Sequence, residues 1–411
     1  MFVYIAAAMK LMENFRSAVE AIFCAVVLSC TYYPDYPHSF GPSRAQAVSS
    51  GSRADGSVKK PYSGAIACSM LLFEPLYDWV RDTAYGVAPV SVAVYEGTKR
   101  RLLLEGVLGA DPDMHRIRGG RLYSDYCTGN ETVVLCDGKE VFRYPGRESI
   151  EGFELVSGSV HTLGRNRSGE GFSYRIDGRE QLSRPSGSIV SGLHEDGGTL
   201  WFSFRSRDVE TGQMRYYLSD GKKTEEAVSA KKLSSVFSLR MVGGVPVTSG
   251  RMDGSRKNPV AYSGDTQILL GRNPPGEAIS CAHVAFEGSE MVFCGSYRTS
   301  AGGEIYALWN RKGPLVTFPE GDVVHAVFPT GKDCLVVRSS GGRLILREGK
   351  GVDRDIGPYR LMTPSCAAYR EGSLLLGLTG EDGCGLWHDG VFYRVPGNGF
   401  ISGVELPSVV P

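Results

Sequence analysis

Arginine side chains recur in two polar segments of this sequence, where they could bind a negatively charged ligand. Arg165, Arg167, Arg205 and Arg207 lie in these segments. A guanidinium binds a carboxylate, sulfate or phosphate through paired hydrogen bonds. Acidic residues such as Asp208 alternate with the arginines, so the summed charge of the segments is only slightly positive. We favour a solvated rim as the interpretation, with ligand binding by these four arginines as the alternative.

A histidine and two carboxylates stand together at His194, Glu195 and Asp196, directly before Gly197-Gly198. Histidine titrates near neutral pH, so this group could exchange protons with a bound molecule. A polar turn beside a glycine pair produces the same pattern. We favour the turn and keep ligand binding by these three residues as the alternative.

Two further histidines are candidate ligand-binding residues. His115 and His283 stand five residues before Gly120 and Gly288, at matching positions of two sequence repeats that are four apart. In a ring of eight repeats they would lie on opposite sides, whereas zinc holds its ligands about 2 Å from one centre. The sequence also contains no CxxC pair, HExxH motif or phosphate-binding loop. It therefore predicts no metal site and no cofactor.

The charge balance argues against one class of partner. The 411 residues include 45 Lys and Arg against 45 Asp and Glu. A dedicated nucleic-acid-binding protein usually has a basic excess. We therefore expect no nucleic-acid partner.

Ten cysteines are present, and two pairs of them are predicted to lie on adjacent strands. These pairs are Cys127 with Cys136 and Cys281 with Cys294. Disulfides form in exported proteins, but a bridge also needs a specific distance between the two Cα atoms. We favour buried free thiols, with disulfides as the alternative.

Residues 1–29 are predicted to be a signal peptide. Basic residues precede an apolar run at 21–29 that is shorter than the roughly 20 residues of a membrane-spanning helix. The run ends in Val27-Leu28-Ser29-Cys30, which resembles the lipobox of bacterial lipoproteins. That resemblance implies that Cys30 carries lipid and attaches the mature chain to a membrane. A plain secretory signal or a misassigned start is the alternative.

Residues 30–60 are rich in Ser, Gly and Pro and are predicted to be a flexible tether. A folded domain at 61–411 follows. A lipid-anchored chain of this kind is expected in the cell envelope of a Gram-negative-type bacterium. It would be an outer-membrane lipoprotein, either periplasmic or exposed at the surface.

A short pattern recurs from residue 90 onward: a strand-like run, an acidic or small residue, and a glycine. Asp-Gly after alternating apolar residues predicts a hairpin. A second apolar run with its own glycine turn alternates with the first, which gives four strands in about 40 residues, the size of a propeller blade. The sequence therefore predicts an all-β fold, a β-propeller of four-stranded blades. The copies of the first pattern end at Gly106, Gly138, Gly178, Gly221, Gly264, Gly313, Gly349 and Gly390.

The number of blades follows from the incomplete units at the two ends. Seven full units run from about 114 to 399. Residues 400–406 look like the first strand of a unit (A) alone, and 90–97 with 101–106 look like the second and third strands (B and C) of a unit that lacks a first one. Pairing the N- and C-terminal strands in one blade predicts eight blades and removes exposed sheet edges. Seven blades is the alternative if the weak unit at 235–278 is an insertion. Residues 62–89 are interpreted as an extension packed on the ring.

The repeats of residues 90–406 are similar to the Trp-x-Asn/Asp-Gly repeats of secreted bacterial propeller-like proteins, a group that carries no assigned activity. The anchor, the tether and the repeats together indicate a ligand-binding or protein-assembly module at the cell envelope. A glycan or an envelope protein is the expected partner, besides the membrane itself. The alternative is a glycan-active hydrolase or lyase with carboxylates spread over several blades.

Overall fold

The computed structural model describes 33 β-strands and two short 3-10 turns. The signal peptide, Cys30 and the tether lie outside the described residues. Among the residues that are described, no helix is long and apolar enough to cross a membrane. The description covers 69–75, 90–97, 99–107, 114–166, 171–184, 188–252, 259–269, 277–287, 290–310, 313–330, 334–349, 351–370, 372–381, 383–395 and 399–406.

The strands form eight antiparallel sheets, which we number as blades 1–8. In each blade, four strands A to D follow one another across the sheet. Blade 1 consists of β4 (His115–Arg118), β5 (Arg121–Thr128), β6 (Glu131–Cys136) and β7 (Lys139–Pro145). Blade 2 consists of β8 (Glu148–Val156), β9 (Ser159–Asn166), β10 (Phe172–Ile176) and β11 (Arg179–Arg184). In blade 3, strand A is divided into β12 (Ile189–Val190) and β13 (His194–Asp196), and β14 (Thr199–Arg207), β15 (Met214–Ser219) and β16 (Thr224–Glu226) follow.

Blades 4 to 7 have the same order of strands. Blade 4 consists of β17 (Leu233–Val242), β18 (Val245–Met252), β19 (Pro259–Ser263) and β20 (Thr266–Leu269), and blade 5 of β21 (Glu277–Glu287), β22 (Glu290–Arg298), β23 (Glu304–Asn310) and β24 (Gly313–Thr317). Blade 6 consists of β25 (Val323–Pro329), β26 (Cys334–Ser340), β27 (Arg343–Glu348) and β28 (Arg354–Gly357). Blade 7 consists of β29 (Ala367–Arg370), β30 (Ser373–Gly380), β31 (Gly383–His388) and β32 (Val391–Arg394).

Blade 8 closes the ring with strands from both ends of the described chain. Its strand A is β33 (Phe400–Glu405), followed by β1 (Ser69–Pro75), β2 (Val90–Glu96) and β3 (Lys99–Val107). The prediction of eight blades and of pairing between N- and C-terminal strands is confirmed. The seven-blade alternative is wrong, because the weak unit forms a complete four-stranded blade 4.

The interpretation of 62–89 as an extension packed on the ring is wrong for β1. This strand pairs with β33 on one side and with β2 on the other, so it is strand B of blade 8. The prediction of strands B and C for 90–106 is therefore wrong as well, because β2 and β3 are strands C and D. A strand inside a sheet can carry a continuous apolar run in place of alternation, and Met70 to Phe73 is such a run. Pro75 is the last residue of β1 and lies beyond the pairing with β33, which ends at Phe73.

The predicted Asp-Gly hairpins are confirmed at three of the turns between strands C and D. Asp137, Asp177 and Asp389 have φ angles of 48°, 49° and 44°, in the left-handed region that aspartate tolerates. Each carboxylate accepts a hydrogen bond from the backbone N–H of the second residue of strand B in the same blade. The donors are the N–H groups of Leu122 at 3.0 Å, Val160 at 2.8 Å and Leu374 at 3.3 Å.

Buried apolar side chains fill each junction between neighbouring blades. One cluster joins Val94 of blade 8 to Leu122 of blade 1, and another joins Tyr123 of blade 1 to Phe153 of blade 2. Further clusters continue from blade 2 to blade 6, and the largest joins blades 6, 7 and 8. The eight sheets therefore form a closed ring of blades, a β-propeller.

The A strands lie on the inner side of this ring. Strands A of successive blades contact one another, as β13 with β17, β17 with β21 and β33 with β4, while the D strands β7 and β11 are mostly exposed. Antiparallel pairing places the A–B and C–D turns on one face of the ring, which we call the turn face. The B–C and D–A loops lie on the opposite face, which we call the loop face.

Candidate functional site

The group predicted from His194, Glu195 and Asp196 joins two blades. His194 Nε2 accepts a hydrogen bond from the backbone N–H of Met241 in blade 4, at 3.0 Å. The Asp196 carboxylate accepts hydrogen bonds from the N–H groups of Gly243 and Gly244 at 2.7 and 2.8 Å. Glu195 is exposed. Two of the three side chains are therefore committed to holding blade 4 against blade 3.

The protonation state of His194 suits this structural role. Burial lowers the pKa of His194 to about 4, with a smaller lowering by the positive charge of Arg240. The ring is therefore neutral at neutral pH, and Nε2 can accept a hydrogen bond.

A second carboxylate holds the turn of the next blade in the same way. Glu405, at the end of strand A of blade 8, accepts hydrogen bonds from the N–H groups of Gly119 and Gly120 in blade 1, both at 2.8 Å. Arg118 of blade 1 in turn donates two hydrogen bonds to Glu154 of blade 2, at 2.9 and 3.1 Å. Polar contacts between A strands thus supplement the apolar junctions at the turn face.

His115 and His283 do not occupy equivalent positions. His115 is the fourth residue back from its A–B turn and pairs with Ser124, whereas His283 is the fifth and pairs with Cys294. The prediction of matching positions is wrong, because the glycine used for alignment is second in one turn and first in the other. His115 is buried, and its Nδ1 lies 2.8 Å from Ser124 Oγ.

The cysteine side chains in the described part of the chain are free thiols. Cys127 pairs across the sheet with Thr132, and Cys136 pairs with Tyr123, so the two cysteines are not opposite each other. The preference for free thiols is confirmed for this pair, and the side chain of Cys281 lies outside the described residues.

Three of the four arginines of the predicted rim, Arg165, Arg205 and Arg207, lie at the loop face. Arg165 is near the end of β9, with its Nη2 2.9 Å from Glu151 Oε1. Arg205 and Arg207 are exposed at the end of β14 in blade 3. Arg167 lies outside the described residues. Arg205 and Arg207 form no ion pair with described residues, which distinguishes them from Arg165.

The first residue of the loop that follows Arg207 forms several hydrogen bonds within that loop. The Asp208 carboxylate accepts hydrogen bonds from the N–H and hydroxyl groups of Thr211 at 2.8 and 2.9 Å, and its backbone pairs with Gln213 and Gly212. Val209 stands on this loop with 98% of its surface exposed. Met214, at the start of β15, is also exposed.

A buried charged cluster that the sequence did not reveal lies between blades 1 and 2. Glu148 begins strand A of blade 2, and its Oε1 lies 3.0 Å from Arg175 Nη2. The Arg175 guanidinium is 4.3 Å from the ring centre of Tyr144, and all three side chains are buried. Burial, followed by the charge of Glu148, raises the pKa of Tyr144. Gly164 opposite leaves the space that the Glu148 carboxylate occupies.

A similar cluster lies between blades 5 and 6. Arg338 pairs with Asp322, which directly precedes strand A of blade 6, and with Asp353 at 2.6 Å. Its guanidinium lies 5.3 Å from the ring centre of Phe318. An aromatic residue that ends one blade and an acid that begins the next therefore enclose an arginine at two junctions. Such pairs have no signature in the sequence, because the partners belong to different strands.

The described residues contain no group of three His, Cys, Asp or Glu side chains arranged to hold a metal ion. No protein-family model and no curated protein sequence matches this chain.

Solved structures share the fold at low sequence identity. The β-propeller domain of the trilobed protease from Pyrococcus furiosus is 9% identical, with a TM-score of 0.42 over 68% of this chain and 93% of that chain. BamB from Moraxella catarrhalis is 10% identical, with a TM-score of 0.41 over 78% of this chain and 97% of that chain. The dihydro-heme d1 dehydrogenase NirN in complex with DHE is 9% identical, with a TM-score of 0.50 over 87% of this chain and 78% of that chain. Similarity at this level concerns the fold alone.

Proposed function

We propose that this protein is a lipid-anchored β-propeller that binds a partner protein at the cell envelope, and that the loop face of blade 3 makes the contact. The observation that carries this proposal is a surface formed by Arg205, Arg207, Val209 and Met214, which we call the blade 3 surface. It combines two exposed arginines with two exposed apolar side chains.

The composition of the blade 3 surface suits a protein partner. Arginine and methionine are enriched at protein interfaces, and arginine is frequent among the residues that dominate binding energy. The loop that carries Val209 is already ordered by the Asp208 hydrogen bonds, so little entropy is lost when it is bound. Two arginines without ion partners among the described residues favour an acidic patch with an apolar centre on the partner.

Cross-linking tests the blade 3 surface. A photo-reactive amino acid at position 209 of the full chain, expressed in cells, is expected to form one dominant adduct with an envelope protein. The same amino acid at Val352, which is 91% exposed on the turn face of blade 6, is the matched control. The double variant R205E/R207E should abolish the adduct from position 209. Equal adducts from both positions, or none from position 209, would contradict the proposal.

The membrane anchor is tested separately. The lipobox-like sequence that ends at Cys30 supports lipidation, and two or three acyl chains anchor a protein stably where one chain is marginal. Metabolic labelling with an alkyne fatty acid is expected to mark the wild-type chain and C24S but not C30S. Label that persists in C30S, or its absence from the wild type, would contradict the anchor.

A further inference from the structure

Four residues of blade 8 stand in one row at the turn face, one from each strand. Glu405, the last residue of strand A, pairs with Ser69 in strand B. Ser69 pairs with Glu96 in strand C, which in turn pairs with Lys99 in strand D. The chain that leads from Cys30 therefore joins the propeller at the turn face. Since neighbouring strands lie about 4.8 Å apart, Ser69 and Lys99 are about 10 Å from each other.

Five basic residues are exposed beside this row and on the adjoining turns of blade 1. Arg101 and Arg121 come from different blades and contact the same carboxylate, that of Asp137, at 3.5 and 3.1 Å. The glycine before Lys139 lies so close to β3 that an added Cβ atom would be 3.1 Å from Leu104 Cδ2. Two blades therefore contribute to one continuous surface. Its basic residues, which we call the basic patch, are Lys99, Arg100, Arg101, Arg121 and Lys139.

The acidic side chains nearest to the basic patch already have partners. Glu96 Oε1 lies 3.3 Å from Arg101 Nε, and Asp137 is shared by two arginines of the patch. Glu140 accepts two hydrogen bonds from an arginine outside the patch, at 3.0 and 2.7 Å. Glu405 accepts backbone hydrogen bonds from the turn of blade 1. These four carboxylates are thus committed to other contacts.

Three members of the basic patch can therefore bind an external anion. Lys99, Arg100 and Lys139 are exposed, and they form no ion pair with the part of the chain that the structure describes. The segments 61–68 and 407–411, which precede and follow strands of blade 8, contain no acidic residue. Exposed lysine and arginine side chains are attracted to anionic lipid headgroups, and this attraction acts over a Debye length of about 10 Å.

We propose that the basic patch binds anionic phospholipid headgroups, so that the turn face of blades 8 and 1 lies against the membrane. This inference rests on the proposed lipid anchor. Residues 31–68 connect Cys30 with Ser69, and a flexible coil of this length spans about 35 Å on average. An anchored chain would therefore present the patch to the headgroups at a high effective concentration.

The position of the basic patch favours a membrane over an acidic protein as its ligand. The patch lies beside Ser69, where the chain from the anchor joins the propeller, and the membrane is the anionic surface that the anchor brings near. The blade 3 surface lies on the opposite face of the ring. With the basic patch against the membrane, the blade 3 surface points away from it, towards a protein partner.

Vesicle binding by an unlipidated full chain tests the basic patch apart from the anchor. The full chain with C30S is mixed with vesicles of phosphatidylcholine and phosphatidylglycerol in equal parts, and flotation measures the bound fraction. It is expected to bind these vesicles at low salt and to dissociate at high salt. K99Q/R100Q/K139Q, made in the same C30S chain, should bind at least about tenfold more weakly, because each basic residue near an anionic surface contributes about fivefold.

The matched control removes the same charge from the opposite face. R147Q/R298Q/R394Q, also in the C30S chain, replaces three exposed arginines at the loop face. Arg147 lies between β7 and β8, and Arg298 and Arg394 end β22 and β32. This variant should bind the mixed vesicles as the C30S chain does. Vesicles of phosphatidylcholine alone control for contacts of the apolar N-terminal run, which do not depend on lipid charge.

The outcomes separate clearly. A preference for the mixed vesicles that is lost in K99Q/R100Q/K139Q and kept in the control variant supports the proposal. Equal binding by the two triple variants, equal binding to both kinds of vesicle, or no binding overturns it. Thermal melting confirms that each variant is folded, and K99Q/K139Q decides the matter if the triple variant is not. Every protein in this comparison lacks Cys30, so failure here leaves the fatty-acid labelling and the cross-linking at position 209 as separate tests of the proposed function.

Discussion

The carboxylate of Glu405 accepts a hydrogen bond from the backbone N–H of Gly119 at 2.8 Å, across 286 residues of sequence. Its second oxygen accepts from Gly120 at the same distance. Asp196 repeats the arrangement with the Gly243-Gly244 turn of blade 4. The four glycines have φ angles between 58° and 74°, which L side chains rarely adopt. A carboxylate at the end of strand A therefore replaces water on the N–H groups of the next blade's turn.

Removal of either carboxylate is expected to lower the stability of the propeller. For Asp196→Ala and Glu405→Ala we expect a loss of about 1–2 kcal/mol in the free energy of unfolding, since two charge-assisted hydrogen bonds are lost at a partly exposed site. Urea denaturation of the full chain measures this loss. Glu195→Ala, which removes a neighbouring exposed carboxylate, is the control and should stay within about 0.5 kcal/mol of the wild type. If Asp196→Ala and Glu405→Ala were as stable as Glu195→Ala, the two carboxylates would not hold the turn of the next blade in place.

Acid is expected to destabilise the protein through two histidines. The pKa values of His194 and His325 are both lowered to about 4 by burial, from 6.5 in an unfolded chain. Between these values the unfolded chain binds more protons than the folded one, so the free energy of unfolding falls as the pH decreases from about 6.5 towards 4. Above pH 6.5 these two groups contribute no pH dependence.

Denaturation midpoints measured from pH 4 to pH 8 check this dependence. The double variant H194Q/H325Q should show a flatter profile below pH 6.5 than the wild type. H388Q, which removes a histidine bonded to Ser373, is the matched control and should retain the slope. A double variant with an unchanged slope would show that other groups cause the acid sensitivity.

The buried pair of Glu148 and Arg175 is expected to act as a unit. Removal of Arg175 leaves the Glu148 carboxylate buried without its partner between blades 1 and 2, which costs about 3–5 kcal/mol. Removal of Glu148 costs less, because Arg175 Nη2 also lies 3.2 Å from the half-exposed Glu180. We therefore expect Arg175→Met to be strongly destabilising and Glu148→Gln to be destabilising to a smaller extent. The double variant should lose less than the sum of the two, because neither charge then remains. A double-mutant cycle in urea measures the coupling, and additive losses would contradict it.

The sequence was sufficient for those features that depend on near neighbours. Asp137-Gly138 and Asp177-Gly178 form hairpins because the backbone preferences of these two residue types decide the turn. The closure of blade 8 could be predicted because an unmatched strand remained at the end. The role of β1 as an inner strand could not be predicted, since its apolar run has no alternation. The hydrogen-bond partners of Asp196 and Glu405 could not be predicted either. Those partners lie on other blades, and their approach depends on the ring as a whole.

The closing strand is expected to contribute strongly to the stability of the ring. The side chain of Ile401 in β33 is fully buried in the largest apolar cluster, and its carbonyl oxygen accepts a hydrogen bond from the Cys366 thiol at 3.0 Å. Ile401→Ala should lower the free energy of unfolding by about 2–5 kcal/mol, because a cavity remains at the junction of blades 7 and 8.

The matched control for this truncation is Val209→Ala, at a side chain that is 98% exposed. It should leave the urea midpoint of the full chain unchanged. If Ile401→Ala were equally harmless, blade 8 would not be needed to hold the ring closed. A large loss confined to Ile401→Ala would show that packing of the closing strand at the junction of blades 7 and 8 stabilises the ring, because opening this junction exposes the apolar faces of two sheets to water.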